Sequence, residues 1–564
     1  MKIKGMMYDV GRDVGGNEKY YRELIERLAG YGYNMLILNL EYRFQFPSHP
    51  EIGMPDGLTP EKVRTLDDFA KEHGIELVPF MNCAGHCEGI GMTEKYNHLC
   101  ADDIQSNSVE QLCINMPEAV QLALDLFNDL CDCFSGKYFH VGGDEIRWLQ
   151  KLYPELEPDD RMKKAVEFLN LIIKTVKSRG KIPMVWGDML LKHQSILENL
   201  DSDVLICDWS YFTAPDLKQL SNIKTLSFFK DAKRPTVFCN SASSFYGNPM
   251  MSDTSTMNIV YGSDEYFNLF GDEALGIITT VWEIQYGGFF DVVWPWLYLQ
   301  SKINNGEKRN FRSLSFLGEY TSAEWGLPEG DDSLEKWHRL MDVEFTKFVL
   351  YEAFLDKRLR PSLEANGNRP CKMMRMFFNS LFRNRNILPF INNERRTWLT
   401  PYMIEKIEEI YRKALLLAEH MDKASVRRKE EARHLLQYNK VMLAIIDLLK
   451  LETSFENCYH RAAEVQFTDN DEFKNTMNEL KGICLSMAEK AGILAEWINT
   501  LYEEGNYAAD ACVIAGMSVE ELLKRADNIG KIADSGVALV SYRRFISRDA
   551  DLPMIRHIGK DYAK

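Results

Sequence analysis

Through about the first 310 residues, short apolar runs alternate with longer segments in which apolar residues recur every three or four positions. The short runs read as buried strands and the longer segments as amphipathic helices packed over them. Strands are expected at Lys4–Asp9, Asn34–Leu40, Glu76–Met81, Tyr138–Val141, Ile182–Trp186, Val204–Asp208, Thr236–Cys239 and Gly276–Val281. Helices are expected at Lys19–Gly30, Thr59–Glu72, Pro117–Phe134 and Arg161–Arg179. Thr59 followed by Pro60 and Glu61 is a strong helix start: a capping hydroxyl, then a fixed φ, then an acid at the positive end of the dipole. Eight strands alternating with helical patterns predict a (β/α)8 barrel, with functional side chains at the carboxyl ends of the strands.

Beyond about residue 340 the period changes. Long helical patterns cover Tyr402–His420, Arg427–Phe455, Asp471–Glu503 and Val519–Ile532, and strand patterns are lacking. The expected organisation is therefore a barrel over residues 1–335 followed by an all-α domain over 336–564, packed as a bundle. A chain of 564 residues is too long for one ordinary core, which agrees with this division. A homodimer formed through the helical domain is compatible with the pattern.

Composition narrows the partners. The formal net charge of −16 argues against nucleic acid, which needs a basic footprint. No apolar run approaches the ~18 residues of a membrane helix, so no membrane partner is expected. The stretch Met1–Asp9 is interrupted by Gly5 and does not read as a signal peptide; with twelve cysteines, this points to reduced thiols in a cytoplasm. The group Cys83, His86 and Cys87 and the pair Cys131 and Cys133 lack the spacing of a zinc site, and read better as small buried residues.

Polar and aromatic residues gather at the expected strand ends. In order these are Asp9 and Arg12, Glu41 and Tyr42, His86 and Glu88, then His140, Asp144 and Glu145. The later strands add Trp186 and Asp188, Asp208 and Trp209, Asn240, Ser241 and Tyr246, and finally Trp282, Glu283 and Gln285. Taken singly, each has an ordinary reading as a cap, a core tryptophan or a structural histidine. Their recurrence at one end of strand after strand describes a sugar pocket, where aromatic faces meet the ring and charged groups hold hydroxyls. The sharpest segment is Tyr138 to Glu145 (YFHVGGDE). Neighbouring residues of a regular strand face opposite sides, so Asp144 and Glu145 can share a pocket only if Gly142 and Gly143 break the strand. The alternative reading is a helix-capping Asp followed by a solvated Glu.

The segment His140 to Glu145 (HVGGDE) resembles the active-site signature of glycoside hydrolase family 20, the β-N-acetylhexosaminidases. Gly5 to Arg12 (GMMYDVGR) is similar to the family's first-strand motif. Leu38 to Pro47 and Gly85 to Glu88 resemble its cytoplasmic hexosaminidase D-like branch. Trp186 to Asp188, Asp208 with Trp209, and Thr280 to Glu283 stand where the family places its pocket tryptophans and hydroxyl-binding acids.

The resemblance implies a retaining exo-β-N-acetylhexosaminidase. Its substrate would be an oligosaccharide or glycoconjugate with a terminal β-linked N-acetylglucosamine or N-acetylgalactosamine. Family 20 is an exception among retaining glycosidases, because the substrate's own acetamido oxygen attacks the anomeric carbon and gives an oxazolinium intermediate. Asp144 would then hold the acetamide and Glu145 would be the acid/base, with His140 supporting the pair and Arg12 gripping O3 and O4. Trp186, Trp209 and Trp282 would wall the sugar, and Tyr246, with Tyr211 as competitor, would bind the acetamide carbonyl. His86, Glu88, Asp188, Glu283 and Gln285 would complete the pocket; no cofactor or metal is implied. Gln285 stands near where relatives tend to carry an acid, and the chain begins directly at the first strand. Two rivals remain: a carbohydrate-binding barrel without catalysis, and a two-carboxylate glycosidase of another barrel family using Glu145 and Glu283.

Overall fold

The computed structural model describes residues 2–11, 17–91, 93–103, 108–192, 194–211, 222–243, 252–282, 290–310, 313–355, 400–503, 509–535 and 539. Ten strands occur among them: β1 (Ile3–Asp9), β2 (Met35–Asn39), β3 (Glu76–Phe80), β4 (Cys100–Asp103), β5 (Ser108–Leu112), β6 (Tyr138–His140), β7 (Ile182–Trp186), β8 (Leu205–Trp209), β9 (Thr236–Ser243) and β10 (Gly276–Val281). Eight of them close a barrel in the order β1-β10-β9-β8-β7-β6-β3-β2, every pair parallel. The expected (β/α)8 architecture is what forms. The eight strands fall within a few residues of the expected ones.

The strands close because their side chains alternate. Met7, Ile37, Val78, Met184, Cys207 and Val237 fill the barrel interior. Their neighbours Met6, Leu36, Leu38, Leu77, Val185 and Ile206 are buried on the other side, in the cluster that includes the surrounding helices. A strand buried on both faces needs apolar residues at every position, which is why these runs are continuous. The period of two also settles what each strand end presents. Positions in phase with the interior residues include Asp9, Asn39, His140, Trp186 and Trp209. Asp208 and Asn240 are out of phase and turn towards helices. Asn240 donates to Gln300 Oε1 at 2.7 Å, on helix Trp294–Asn304. Asp208 is hydrogen-bonded to Thr225, on helix Asn222–Asp231.

The helix starts follow the local chemistry expected of them. Thr59 Oγ1 accepts from the Lys62 amide at 3.2 Å, with Pro60 in the first turn of Pro60–Glu72. Two strands have no counterpart in the expectations: β4 and β5 form an antiparallel hairpin inserted between β3 and β6. It sits over the barrel rim, where the Leu112 amide donates to Ala84 O at 2.9 Å.

The carboxyl-terminal part is helical, with Pro401–Ala424, Lys429–Val465, Asn470–Glu503 and Ala509–Ser535 each packed against the next in sequence. It is joined to the barrel by a buried charged knot. Arg27, on the barrel's helix Glu18–Gly30, donates to both oxygens of Glu431, at 2.6 and 3.3 Å, and to Tyr320 Oη at 2.9 Å. Tyr320 Oη and Trp325 Nε1 also donate to Glu431 Oε2, at 2.9 and 3.0 Å. The Arg27 guanidinium lies 3.9 Å from the centre of the Trp294 ring. Among the described residues no helix is long and apolar enough to cross a membrane.

Candidate active site

The chain leaves β6 at His140 and turns sharply. Gly142 and Gly143 have φ of +71° and +91°, and Glu145 follows at +47°. Only glycine fits at 142, since a Cβ there would lie 2.0 Å from Asn82 Oδ1. This is the break that lets two consecutive carboxylates turn to one side. Three of the five described non-glycine residues with positive φ are Glu41, His86 and Glu145, which follow β2, β3 and β6 at the same rim. Such backbone costs on the order of 1–3 kcal/mol per residue and persists only where its surroundings impose it.

His86 bridges the two acids. Its Nε2 lies 3.0 Å from Glu145 Oε2 and 3.8 Å from Asp144 Oδ2. The Glu145 amide donates to Asp188 Oδ2 at 3.3 Å, and Arg147 donates to Glu145 Oε2. Asp144 is buried, and burial pushes its carboxyl up to about 7; His86 opposes the shift, and the charges of Asp188 and Glu145 add to it. Its Oδ1 is buried and accepts no hydrogen bond from any described residue.

His140 does not stand beside the carboxylates. It is fully buried, its ring 4.5 Å from that of Phe80 and 4.3 Å from that of Trp186, and its Nδ1 accepts from the Gly142 amide at 3.1 Å. Burial lowers its pKa to about 3, so the ring is neutral, and because Nδ1 accepts, Nε2 carries the proton. The histidine whose described contacts reach both acids is His86, on the loop after β3, while β6 ends with residue 140 directed into the barrel.

Two of the three tryptophans meet directly and Tyr211 links the third to them. Trp186 and Trp282 have ring centres 6.0 Å apart, Trp282 lies edge-on to Tyr211 at 6.3 Å, and Tyr211 stacks on Trp209 at 5.1 Å. The result is a continuous aromatic wall rising from a buried floor at Trp186. Tyr211 belongs to it. Glu88 opens the short helix Glu88–Gly91, and Asp188 opens Asp188–Lys192. Arg12, Tyr246, Glu283 and Gln285 lie outside the described residues.

Two contributors escaped the reading of the sequence. Gln111 on β5 is buried and its Oε1 accepts from the amides of both Arg147 and Trp148 at 2.8 Å, holding the segment that follows the acids. Arg147 itself stands two positions after Glu145, and that adjacency was the available signal. Among the described residues no group of histidines, cysteines and acids is arranged to hold a metal ion.

A closed parallel barrel with paired carboxylates and an aromatic wall at the carboxyl ends of its strands is the architecture of many glycoside hydrolases. Comparison with known proteins narrows this: residues 2–225, from β1 through β8 and including both acids, match the glycosyl hydrolase family 20 catalytic domain. Over this segment, less than half of the chain, the protein is similar to that family. Lacto-N-biosidase of Bifidobacterium bifidum is 26% identical over 196 residues, covering 32% of this chain and 17% of that protein. A beta-hexosaminidase of Emericella nidulans is 24% identical over 241 residues, covering 37% of this chain and 39% of the relative. The chain thus spans less than half the length of either. The beta-N-acetylhexosaminidase structure from Bacteroides fragilis aligns with a TM-score of 0.44 at 18% identity, over 57% of this chain and 69% of that one.

Proposed function

We propose that this protein is a retaining exo-β-N-acetylhexosaminidase that releases terminal β-linked N-acetylglucosamine or N-acetylgalactosamine from glycans, using the substrate's acetamido group as nucleophile. The observation that carries this reading is Asp144 Oδ1, a buried carboxylate oxygen with no donor among the described residues, whose charge is felt at Tyr211 in the aromatic wall. An acetamide N–H is a donor of the right kind, and its methyl group suits the tryptophans. Accepting that hydrogen bond favours the ionised carboxylate, offsetting the burial that pushes Asp144 up to about 7. Ionised Asp144 then orients the acetamide oxygen towards the anomeric carbon and stabilises the positive charge of the oxazolinium ring.

Glu145 protonates the departing glycosidic oxygen and afterwards takes a proton from the attacking water. His86, in contact with both acids, holds them in register. Trp186, Trp209 and Trp282 enclose the acetamide and the ring face, and Tyr211 is the described candidate to bind the acetamide carbonyl. Arg12, Glu88, Asp188, Tyr246, Glu283 and Gln285 keep their proposed places around the hydroxyls. We assign the protein to the cytoplasm on its many cysteines; none of the ten described is in a disulfide.

A panel of 4-nitrophenyl β-glycosides tests the reading. The N-acetylglucosaminide or N-acetylgalactosaminide should be cleaved, while the glucoside, which lacks the internal nucleophile, should be nearly inert. Brisk hydrolysis of the glucoside would rule out acetamide participation. A thiazoline analogue of N-acetylglucosamine should inhibit competitively.

A further inference from the structure

His86 and Glu145 are in contact, and each sits on left-handed backbone, at φ +50° and +47°. That conformation persists in residues with side chains only where the surrounding structure imposes it. One strand of the inserted hairpin restrains both. On β5, the Leu112 amide donates to Ala84 O at 2.9 Å, two residues before His86. The preceding residue on the same strand, Gln111, accepts at Oε1 from the amides of Arg147 and Trp148, both at 2.8 Å, starting two residues after Glu145. Between these two anchors the loop after β3 runs against the turn after β6, so closely that a Cβ at Gly85 would lie 2.5 Å from Asp144 O. The hairpin therefore clamps the histidine loop and the acid turn together.

Gln111 is 2% exposed, in a place where burial alone favours an apolar residue. Two N–H donors facing one atom identify that atom as the amide oxygen, because an NH2 group there would set donor against donor. The other end, Nε2, is buried without an acceptor among the described residues, which costs free energy. The acceptor end of Gln111, not its packing, accounts for a glutamine at this position.

We propose that Gln111 is a positioning residue for proton transfer: by holding the two amides that follow Glu145, it fixes the Glu145 carboxyl where the glycosidic oxygen arrives. The inference rests on Glu145 being the acid/base of the proposed function. A displacement of about 1 Å in a catalytic group can cost about 10²-fold in rate, and here the loss falls on substrates that need the proton. Phenolate leaving from a phenyl glycoside needs it. The far less basic 4-nitrophenolate departs with little help.

Phenyl and 4-nitrophenyl β-glycosides of the preferred N-acetylhexosamine, differing only in the leaving group, test this through kcat/KM. Q111M keeps a buried, unbranched side chain of similar size but presents no strong acceptor. Its kcat/KM should fall about 10–10²-fold on the phenyl glycoside and no more than about three-fold on the nitrophenyl one. Q111E offers an oxygen to both amides in either protonation state, and should bring the ratio of the two substrates back to within about two-fold of the unmodified protein. An equal loss on both substrates in Q111M would make Gln111 a support of the fold alone and overturn the assignment. So would a changed ratio that Q111E does not restore. Both results leave the hexosaminidase reading intact, whereas no cleavage of any N-acetylhexosaminide by the unmodified protein would overturn both. Should Q111M not fold, Q111N, one methylene too short to reach the two amides, decides by the same ratio.

Discussion

Two of the buried charge clusters among the described residues are built to opposite plans. In the knot between barrel and helical region, Glu431 receives hydrogen bonds from Arg27, Tyr320 and Trp325, and Arg27 also donates to Glu324 Oε2 at 3.2 Å. Both charges are matched by partners, so the cluster fixes one element against another and leaves nothing for a ligand. At the barrel rim, Asp144 keeps a buried oxygen without a described donor, His140 Nε2 is buried without a described acceptor, and the backbone around them is left-handed. A buried polar atom left unmatched costs on the order of 1–3 kcal/mol. Burial of charge alone therefore does not mark a site; incomplete satisfaction, held by a constrained backbone, does.

That contrast can be broken in four ways. Glu145→Gln should lower kcat on substrates with poor leaving groups by about 10²–10⁴-fold with little change in stability, because a proton donor is lost and no buried partner is stranded. Steady-state kinetics and thermal unfolding measure the two sides; loss of stability without loss of rate would place Glu145 in the structural class. Glu431→Ala should do the reverse. Leaving buried Arg27 with Glu324 as its remaining described counter-charge should destabilise the fold by up to about 3–5 kcal/mol in denaturant unfolding.

The third prediction uses pH. The carboxyl of Asp144 rises from 3.8 to about 7 on folding, so between those values the native state holds a proton that the unfolded chain has released. Its contribution to stability is thus fully present below about pH 4 and is lost as pH rises through about 7. Asp208, also raised to about 7 by burial, acts in the same direction. Asp144→Asn should flatten the fall in stability over this window while abolishing most turnover; an unchanged pH profile of stability would show that Asp144 is not buried as described. The smallest effect belongs to the double change Arg27→Met with Glu431→Leu. Removing both charges together should restore most of the stability lost in Glu431→Ala, since the desolvation of both ions goes with them.

The barrel was legible because each strand is a continuous apolar run bounded by helical periodicity, and the paired acids because glycines stand directly before them. What local patterns did not carry was the β4–β5 hairpin, whose Ser108–Leu112 stretch (SVEQL) lacks a strong alternation. Nor did they separate His86 from His140 as the partner of the acids. Strand phase alone could have set Asp208 and Asn240 aside, since each is one residue out of step with the interior positions of its strand.

The sequence by itself determined the class of fold, the order of its strands and the two acids at the end of the fourth barrel strand, because these depend on periodicity and on the backbone freedom of glycine, both local properties. Only the tertiary structure decided which histidine touches those acids, that Asp144 lies in an environment raising its carboxyl to about 7, that the tryptophans form one wall, and that Arg147 rests on Glu145. Each of these depends on distances between side chains far apart in sequence and on how much water reaches them, and the closure of the barrel sets both.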